Sequence, residues 1–472
     1  MGTKNRFYAD IMALNSGVTG SCNLVVVRFP DRYCPRVRFI VDCGLFQEKG
    51  DDDFNEDFPF DPEKLEFCLV THNHVDHVGR LPLLVKKGFR ASIFTTDTTK
   101  MILPLSLWDC HKVLKDVCKR KHKRPTYNSE DVSTAISLTK GCKFGEEIKV
   151  HDNIYVTFIS NGHIVGAALI SIRITYPGYD DINLLFTGDY KGDNVFFDVE
   201  PIPYRFLKVP ITIIQESTYG DMDTNQMHPC FKNNILKCIT EGGTVVAPVF
   251  SLGRSQEILY ELKCLQNDGI LSTDIPIYFD GKLAIRYTHL YMSSLNIKDE
   301  MRDFLPDNLT FVDKSERTRI LENEDCKIIL TTSGMGSYGS ARAYISQYIS
   351  RKNALIHFTG FTAQGTLGAR LKETPNGSTV EVAGIISKKQ ATVEYTTEYS
   401  AHAKADEMIE FLRQFENIKL VLVNHGEPDV KDMFADRIVN EVDPKAVGIL
   451  GRQYFYRVNP YGLVKTLSTK FQ

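Results

Sequence analysis

The sequence predicts an α/β protein in which one domain is inserted into another, and three observations lead there. First, five short apolar segments rich in β-branched residues each run into a residue able to ligate a metal. They are residues 37–41 into Asp42, 65–70 into His72, 154–159 into His163, 182–186 into Asp189 and 418–423 into His425. Their length and composition read as buried strands, and strands that all end this way gather their loops at one edge of a sheet. Second, the candidate ligands from Asp42 to Asp189 lie in the first two fifths of the chain while His425 lies near its end, so something separates them. Third, that intervening stretch, roughly residues 208–385, has strand-like segments at 211–214, 244–249, 275–279, 328–331 and 355–358, with a helical stretch at 255–265. Alternating strand and helix predicts a separate domain built on a parallel sheet. The expected division is 1–207 and 386–472 as two parts of one domain, with 208–385 inserted.

Composition bounds the function classes. At 472 residues the chain is long enough for two to four cores. Its 43% hydrophobic and 24% charged residues are those of a soluble globular protein. No apolar run approaches the ~18 residues of a membrane span. The opening Met1 to Phe7 lacks the apolar core of a secretory signal, and Arg6 stands where a myristoylation signal wants Ser or Thr. The 11 cysteines, an odd number with no C-x-x-C pair, fit reduced thiols in the cytoplasm rather than a disulfide framework. A cysteine zinc site is not expected. The net charge of −3 leaves nucleic-acid contact to a local groove rather than to global attraction. Residues 112–124 hold Lys112, Lys115, Lys119, Arg120, Lys121, Lys123 and Arg124 beside His111 and His122. That run reads either as a phosphate-binding rim or as a solvated helix face and loop. The acidic stretch 51–63 reads as a solvated loop.

The densest chemical signal is Thr71-His72-Asn73-His74-Val75-Asp76-His77, an H-x-H-x-D-H run after one strand and before a helix predicted at 81–86. Three imidazoles and a carboxylate this close can supply two metal positions. Neutral imidazole and carboxylate oxygen are suitable zinc ligands, and a tight turn splays them in different directions. His163, in Asn161-Gly162-His163, and Asp189, in Thr187-Gly188-Asp189-Tyr190, each follow a strand beside a glycine suited to a sharp turn. Taken alone, either is more often an ordinary turn residue. Asp42, in Val41-Asp42-Cys43-Gly44, is expected to orient a liganding histidine rather than to bind metal itself.

At these residues the chain resembles the metallo-β-lactamase superfamily, whose αββα sandwich carries D, H-x-H-x-D-H, H, D and H motifs in this order. Glu216-Ser217-Thr218-Tyr219-Gly220, Ser400-Ala401-His402 and Asn424-His425-Gly426-Glu427 are similar to motifs A, B and C of its β-CASP nucleases. That branch includes ribonuclease J and the pre-mRNA 3′-end endonuclease. Residues 247–257, 332–336 and 360–368 resemble segments of the β-CASP domain. The resemblance implies an αββα sandwich with an inserted parallel-sheet β-CASP domain, and two Zn2+ ions per chain. His72, His74 and His163 would hold one ion, Asp76, His77 and His425 the other, and Asp189 would bridge them. Such a pair lowers the pKa of shared water toward about 7, providing the hydroxide nucleophile. His402 would then protonate the leaving oxygen, oriented by Glu216.

The same resemblance points to RNA as partner, because RNA-cutting members carry histidine at the position of His425 where DNA-repair members usually carry valine. Arg254, Ser333 and Arg342 are expected to position RNA phosphate through guanidinium charge and exposed backbone N–H groups. Two stretches depart from the family pattern: Asp189 is followed by Tyr190-Lys191-Gly192, and Asp280-Gly281-Lys282-Leu283-Ala284 replaces a usual Asp-Ser-Pro-Leu-Ala. Neither touches a metal ligand. Of the alternatives, a small-molecule hydrolase such as a thioesterase needs neither the insert nor the Glu216/His402 pair, a non-catalytic scaffold need not keep every ligand, and a DNA nuclease is set apart by His425. The oligomeric state is left open, a homodimer included.

Overall fold

The computed structural model describes residues 7–15, 17–30, 36–47, 52–227, 229–293, 296–360, 362 and 365–468. The chain divides into two compact units, one of Met1–Asn194, Asp198–Thr224 and His402–Gln472, the other of Val195–Phe197 and Asn225–Ala401.

The first unit contains two mixed sheets. One has eight strands in the order Gly462–Ser468, Tyr454–Asn459, Tyr8–Ala13, Asn23–Arg28, Arg36–Val41, Phe67–Leu69, Ser92–Thr96 and Thr139–Cys142. The other has seven in the order Val447–Ile449, Ile418–Asn424, Ile211–Glu216, Ile182–Phe186, Ala168–Ile174, Ile154–Ser160 and Glu147–His151. Period-two alternation explains their packing, because successive side chains leave a strand on opposite faces. In Arg36–Val41, Val37, Phe39 and Val41 enter a core shared with Ile170, Leu184 and Leu422 of the second sheet. Ile40, facing the other way, enters a second core with Leu83 and Leu84 of the helix Leu81–Lys86 and with Leu103 and Leu107 of the helix Asp97–Arg120. The outer face of the second sheet is covered likewise, Leu185 and Val421 packing with Met408 and Leu412 of Ala405–Arg413 and Ile438 of Pro428–Glu441. Helix, sheet, sheet and helix thus form the four layers of an αββα sandwich, as expected. Burial on both faces is why these strands read as continuous apolar runs.

The second unit is built on a six-stranded sheet in the order Leu309–Phe311, Ile277–Asp280, Lys327–Thr331, Thr244–Pro248, Ala354–Phe358 and Thr392–Tyr395. All its pairings are parallel. One face packs through Val246, Ile329 and Ile356 on Tyr344, Ile345 and Tyr348 of the helix Ala341–Tyr348.

The boundaries of the insert differ from the expected 208–385. Ile211–Glu216 pairs in parallel with both Ile182–Phe186 and Ile418–Asn424, so it belongs to the sandwich. Thr392–Tyr395 pairs with Ala354–Phe358 and belongs to the insert. A short apolar strand has the same pattern in either sheet, so periodicity alone does not assign it.

The basic run proves to be the C-terminal half of the helix Asp97–Arg120 and the residues after it, with every cation from Lys112 to Arg124 exposed. No helix among the described residues is long and apolar enough to cross a membrane. All cysteines among the described residues are free thiols.

Candidate metal centre

Asp42, His72, His163, Asp189, Glu216 and His425 all sit at or just beyond the C-terminal ends of strands of the two sandwich sheets. The backbone there is unusual: Asp42 has φ 64° and His425 φ 48°, left-handed values that non-glycine residues seldom adopt and that concentrate at functional sites. Gly44 explains how the loop after Asp42 lies against the H-x-H-x-D-H loop. A Cβ at residue 44 would stand 1.5 Å from the Asp76 carbonyl oxygen. In its absence Cys43 N–H donates to His77 O at 2.7 Å and Leu45 N–H to Val75 O at 3.0 Å. His74 then caps the short helix Val75–Val78 in an extended conformation, which carries Asp76 and His77 on its first turn.

Three groups of potential ligands result, namely His72, His74, His163 and Asp189, then Asp76, His77, Asp189 and His425, then Asp189, Glu216 and His402. Asp189 is common to all three. Its Oδ2 lies 3.2 Å from His77 Nε2, 3.6 Å from His72 Nε2, 3.7 Å from His163 Nε2 and 4.0 Å from His402 Nε2. Its Oδ1 lies 3.2 Å from His425 Nδ1. His74 Nδ1 is 3.2 Å from His72 Nε2 and 3.0 Å from His163 Nε2. Tetrahedral coordination at zinc–nitrogen distances of ~2.0–2.1 Å puts ligand nitrogens about 3.4 Å apart, close to this spacing. The Asp76 carboxylate reaches toward His425 Nε2 at 3.8 Å and His77 Nε2 at 3.9 Å.

The residues fit metal binding. His77 Nε2, Asp189 Oδ1 and His425 Nε2 are buried without a hydrogen-bond partner, and buried polar atoms are rarely left so. Burial, with the neighbouring His77 and His163, holds the His72 imidazole well below its usual pKa, so it stays neutral as a ligand must. Burial acts to raise the Asp189 carboxyl, but His425, His77 and His402 outweigh it and hold the group well below the usual carboxylate range. Burial likewise acts to lower His77, and the carboxylates of Asp189 and Asp42 reverse this and raise it well above its usual range. A pocket whose carboxylates pull protons onto buried histidines is one that a metal ion can compensate in their place.

Asp42 is hydrogen-bonded to His77 and to Thr71. Its Oδ2 accepts from His77 Nδ1 at 2.8 Å, which turns Nε2 toward Asp189, and its Oδ1 accepts from Thr71 N–H at 2.8 Å. Sequence reasoning gave Thr71 no role, yet its hydroxyl touches both Asp42 oxygens at 3.0 Å and His72 Nδ1 at 3.0 Å. Asn161 was also missed: it accepts from His163 N–H and donates to Asp189 O, each at 3.1 Å. The available signal was the Asn-x-His spacing, in which an Asn side chain bonds its own backbone two residues on.

Glu216 and His402 form a pair on the first unit. His402 Nδ1 lies 3.1 and 3.0 Å from the two Glu216 oxygens. Glu216 is buried and also accepts from Thr218 Oγ1 at 2.6 Å and Tyr190 N–H at 2.8 Å, so its carboxylate is fixed from several sides.

The three residues expected to hold phosphate belong to the second unit, and none joins the ligand groups. Arg254 is buried at the start of the helix Arg254–Asn267, where Nη1 donates to Thr359 O and the guanidinium lies over the Phe250 ring. Its geometry is that of an internal brace. Ser333 and Arg342 are half-buried. Ser333 Oγ accepts from Tyr338 N–H at 3.3 Å, closing the glycine-rich turn.

The model of the Beta-Casp domain matches residues 255–371, and that of the Zn-dependent metallo-hydrolase RNA specificity domain matches residues 388–446. The chain is 31% identical to "Probable RNase MJ4" of Methanocaldococcus jannaschii over 377 residues, covering 76% of this chain and 81% of that protein. It is 29% identical to "Ribonuclease TTHA0252" of Thermus thermophilus over 426 residues, covering 87% of this chain and 91% of that protein. It is also 29% identical over 425 residues to "Transcription termination factor FttA" of Methanosarcina mazei, covering 83% of this chain but only 64% of that longer protein. From its ligand-bearing sandwich, its inserted parallel-sheet unit and these relatives, the chain belongs to the β-CASP ribonuclease branch of the metallo-β-lactamase superfamily.

Proposed function

We propose that this chain is a zinc-dependent ribonuclease that hydrolyses RNA phosphodiester bonds at a two-metal centre. The observation that carries the proposal is the sharing of Asp189 between two ligand sets and the His402/Glu216 pair. His72, His74 and His163 would hold one ion, Asp76, His77 and His425 the other, with Asp189 between them. The imidazole and carboxylate donor set suits zinc. Two such ions supply a Lewis-acid clamp for the phosphate and an activated water near neutral pH.

The remaining work falls to the chain's own side chains. With Glu216 accepting at Nδ1, the His402 ring is held so that Nε2 faces Asp189. When the ring is charged, that Nε2 carries a proton directed into the site, available to the departing oxygen. Glu216 stabilises the imidazolium and keeps its Nε2 turned toward the site while remaining an acceptor for Thr218 and Tyr190. Asp42 and Thr71 keep His77 and His72 oriented through their Nδ1 atoms, leaving Nε2 free to ligate. The free thiols are compatible with a reducing, cytoplasmic setting.

RNA is the substrate favoured by His425 and by relatives named as ribonucleases. Matched single-stranded RNA and DNA oligonucleotides of one sequence test this. Cleavage should be confined to the RNA, and equal or faster cleavage of the DNA would overturn the assignment.

A further inference from the structure

The helix Asp97–Arg120 carries a surface that the proposed catalytic centre does not use. At 3.6 residues per turn, Met101, Leu105, Trp108, Lys112, Lys115 and Lys119 fall within a stripe roughly 80° wide and ~27 Å long. Its first half is apolar and its second half basic. Met101 is 49% exposed and Trp108 40% exposed, while the three lysines are exposed. Among the described residues, the one ion pair made by the cations from Lys112 to Arg124 joins Lys123 to Glu56 at 3.8 Å. Lys112, Lys115 and Lys119 are exposed and take part in none of the ion pairs among the described residues. Trp108 is the only tryptophan in the sequence, is 40% exposed, and meets the His111 ring edge-on at 6.1 Å.

The helix is also anchored to the loops that carry the ligands. Ser106 Oγ donates to Asn73 O, between His72 and His74, at 3.2 Å. Thr96 and Thr99 hydroxyls donate to Gly166 O, just beyond His163, at 2.6 and 2.9 Å. From Ser106 the axis runs about 9 Å to Lys112 and about 20 Å to Lys119 at 1.5 Å per residue. Around the helix, Ser106 and Thr99 lie about 140° and 160° from the middle of the stripe, so the face that holds the ligand-bearing loops is opposite the one that carries Trp108 and the lysines.

We propose that this face is a binding track for single-stranded RNA, distinct from the metal centre, in which a base stacks on Trp108 and successive phosphates contact Lys112, Lys115 and Lys119. It rests on the ribonuclease reading above. The pattern of an aromatic platform beside a row of cations is the one sequence-tolerant single-strand binding uses. The stripe matches about eight nucleotides at the ~3.4 Å rise of a stacked strand. The track would favour long substrates over short ones without altering the chemical step.

The sole tryptophan makes the test site-specific, since all indole emission comes from the track. The full chain is titrated with a 20-nucleotide unstructured RNA in EDTA at several salt concentrations, following Trp108 emission. Kinetics with the metal-loaded protein are then measured on that RNA and on a five-nucleotide RNA. Quenching of Trp108 by the 20-mer is expected. In Lys112→Gln/Lys115→Gln/Lys119→Gln, the slope of log affinity against log salt should shrink by about 2, three contacts at ~0.7 each. KM for the 20-mer should rise about tenfold, with kcat and all five-mer kinetics unchanged. A wild-type chain that cuts RNA while Trp108 emission stays constant, or a triple variant with an unaltered salt slope, would overturn the track and leave the ribonuclease reading standing. Quenching by polyglutamate but not by RNA would overturn it in favour of an acidic protein partner. Cleavage of neither RNA would instead sink the ribonuclease reading.

Discussion

Replacing Asp42 by Asn tests whether this buried carboxylate orients His77. The substitution preserves shape, and Asn tolerates the left-handed backbone at φ 64°, so the fold should survive. What changes is hydrogen-bond polarity. Oδ1 accepts from Thr71 N–H at 2.8 Å and Oδ2 from His77 Nδ1 at 2.8 Å, and an amide offers only one oxygen. If its NH2 faced Thr71, two donors would meet at a buried backbone group that cannot turn away. The amide oxygen therefore stays with Thr71, and the NH2 faces His77 Nδ1. That nitrogen must then accept, which moves the imidazole proton to Nε2, the atom facing Asp189 at 3.2 Å. Restoring Nε2 as a ligand costs one charge-assisted hydrogen bond, about 1.5–3 kcal/mol. At 1.4 kcal/mol per factor of ten, affinity for one of two metal ions should fall roughly 10- to 100-fold, the range seen when such supporting groups are lost. Competition with a chromophoric chelator reads both ions separately, with circular dichroism to check the fold. Two ions retained at wild-type affinity, or both weakened equally, would refute the reasoning.

Two further outcomes follow from the same geometry. His402→Ala should lower the cleavage rate by roughly 10²–10⁴ while metal content stays near wild type, measured by elemental analysis beside single-turnover kinetics; loss of metal would make His402 a ligand instead. His357, fully buried in the second unit, is pushed down to about 4 by burial, so it folds neutral. A depressed histidine contributes stability above its unfolded pKa of ~6.5 that is lost as pH falls toward about 4. That loss reaches about 3 kcal/mol, and urea melts at pH 7 and 4.5 should show a smaller drop for His357→Gln than for wild type.

How much of this was legible depended on whether the signal was local. The H-x-H-x-D-H run, the strand-end positions of His163, Asp189 and His425, and the helix Leu81–Lys86 follow from residue types within a few positions of one another, and the structure places them accordingly. The approach of His402 to Glu216 spans 186 positions and came from motif resemblance, since no periodicity links them. Sheet membership was not legible: Ile211–Glu216 has the same apolar strand pattern as the insert's strands but pairs between two strands of the sandwich. Burial of Arg254 was hidden for a related reason. A lone arginine in a glycine-rich context reads as a phosphate contact until its acceptor, the Thr359 carbonyl 105 positions away, is known. Thr71 was missed because a threonine beside a metal motif has no sequence mark that distinguishes a buried connector from a turn residue.

The most direct test of a two-metal ribonuclease is a reconstitution curve. Metal-stripped protein is titrated with zinc while cleavage of an end-labelled RNA is followed. Activity should be absent at the start and rise to a plateau near two equivalents, because two ligand sets share Asp189. Full activity without added metal, or a plateau at one equivalent, would contradict it.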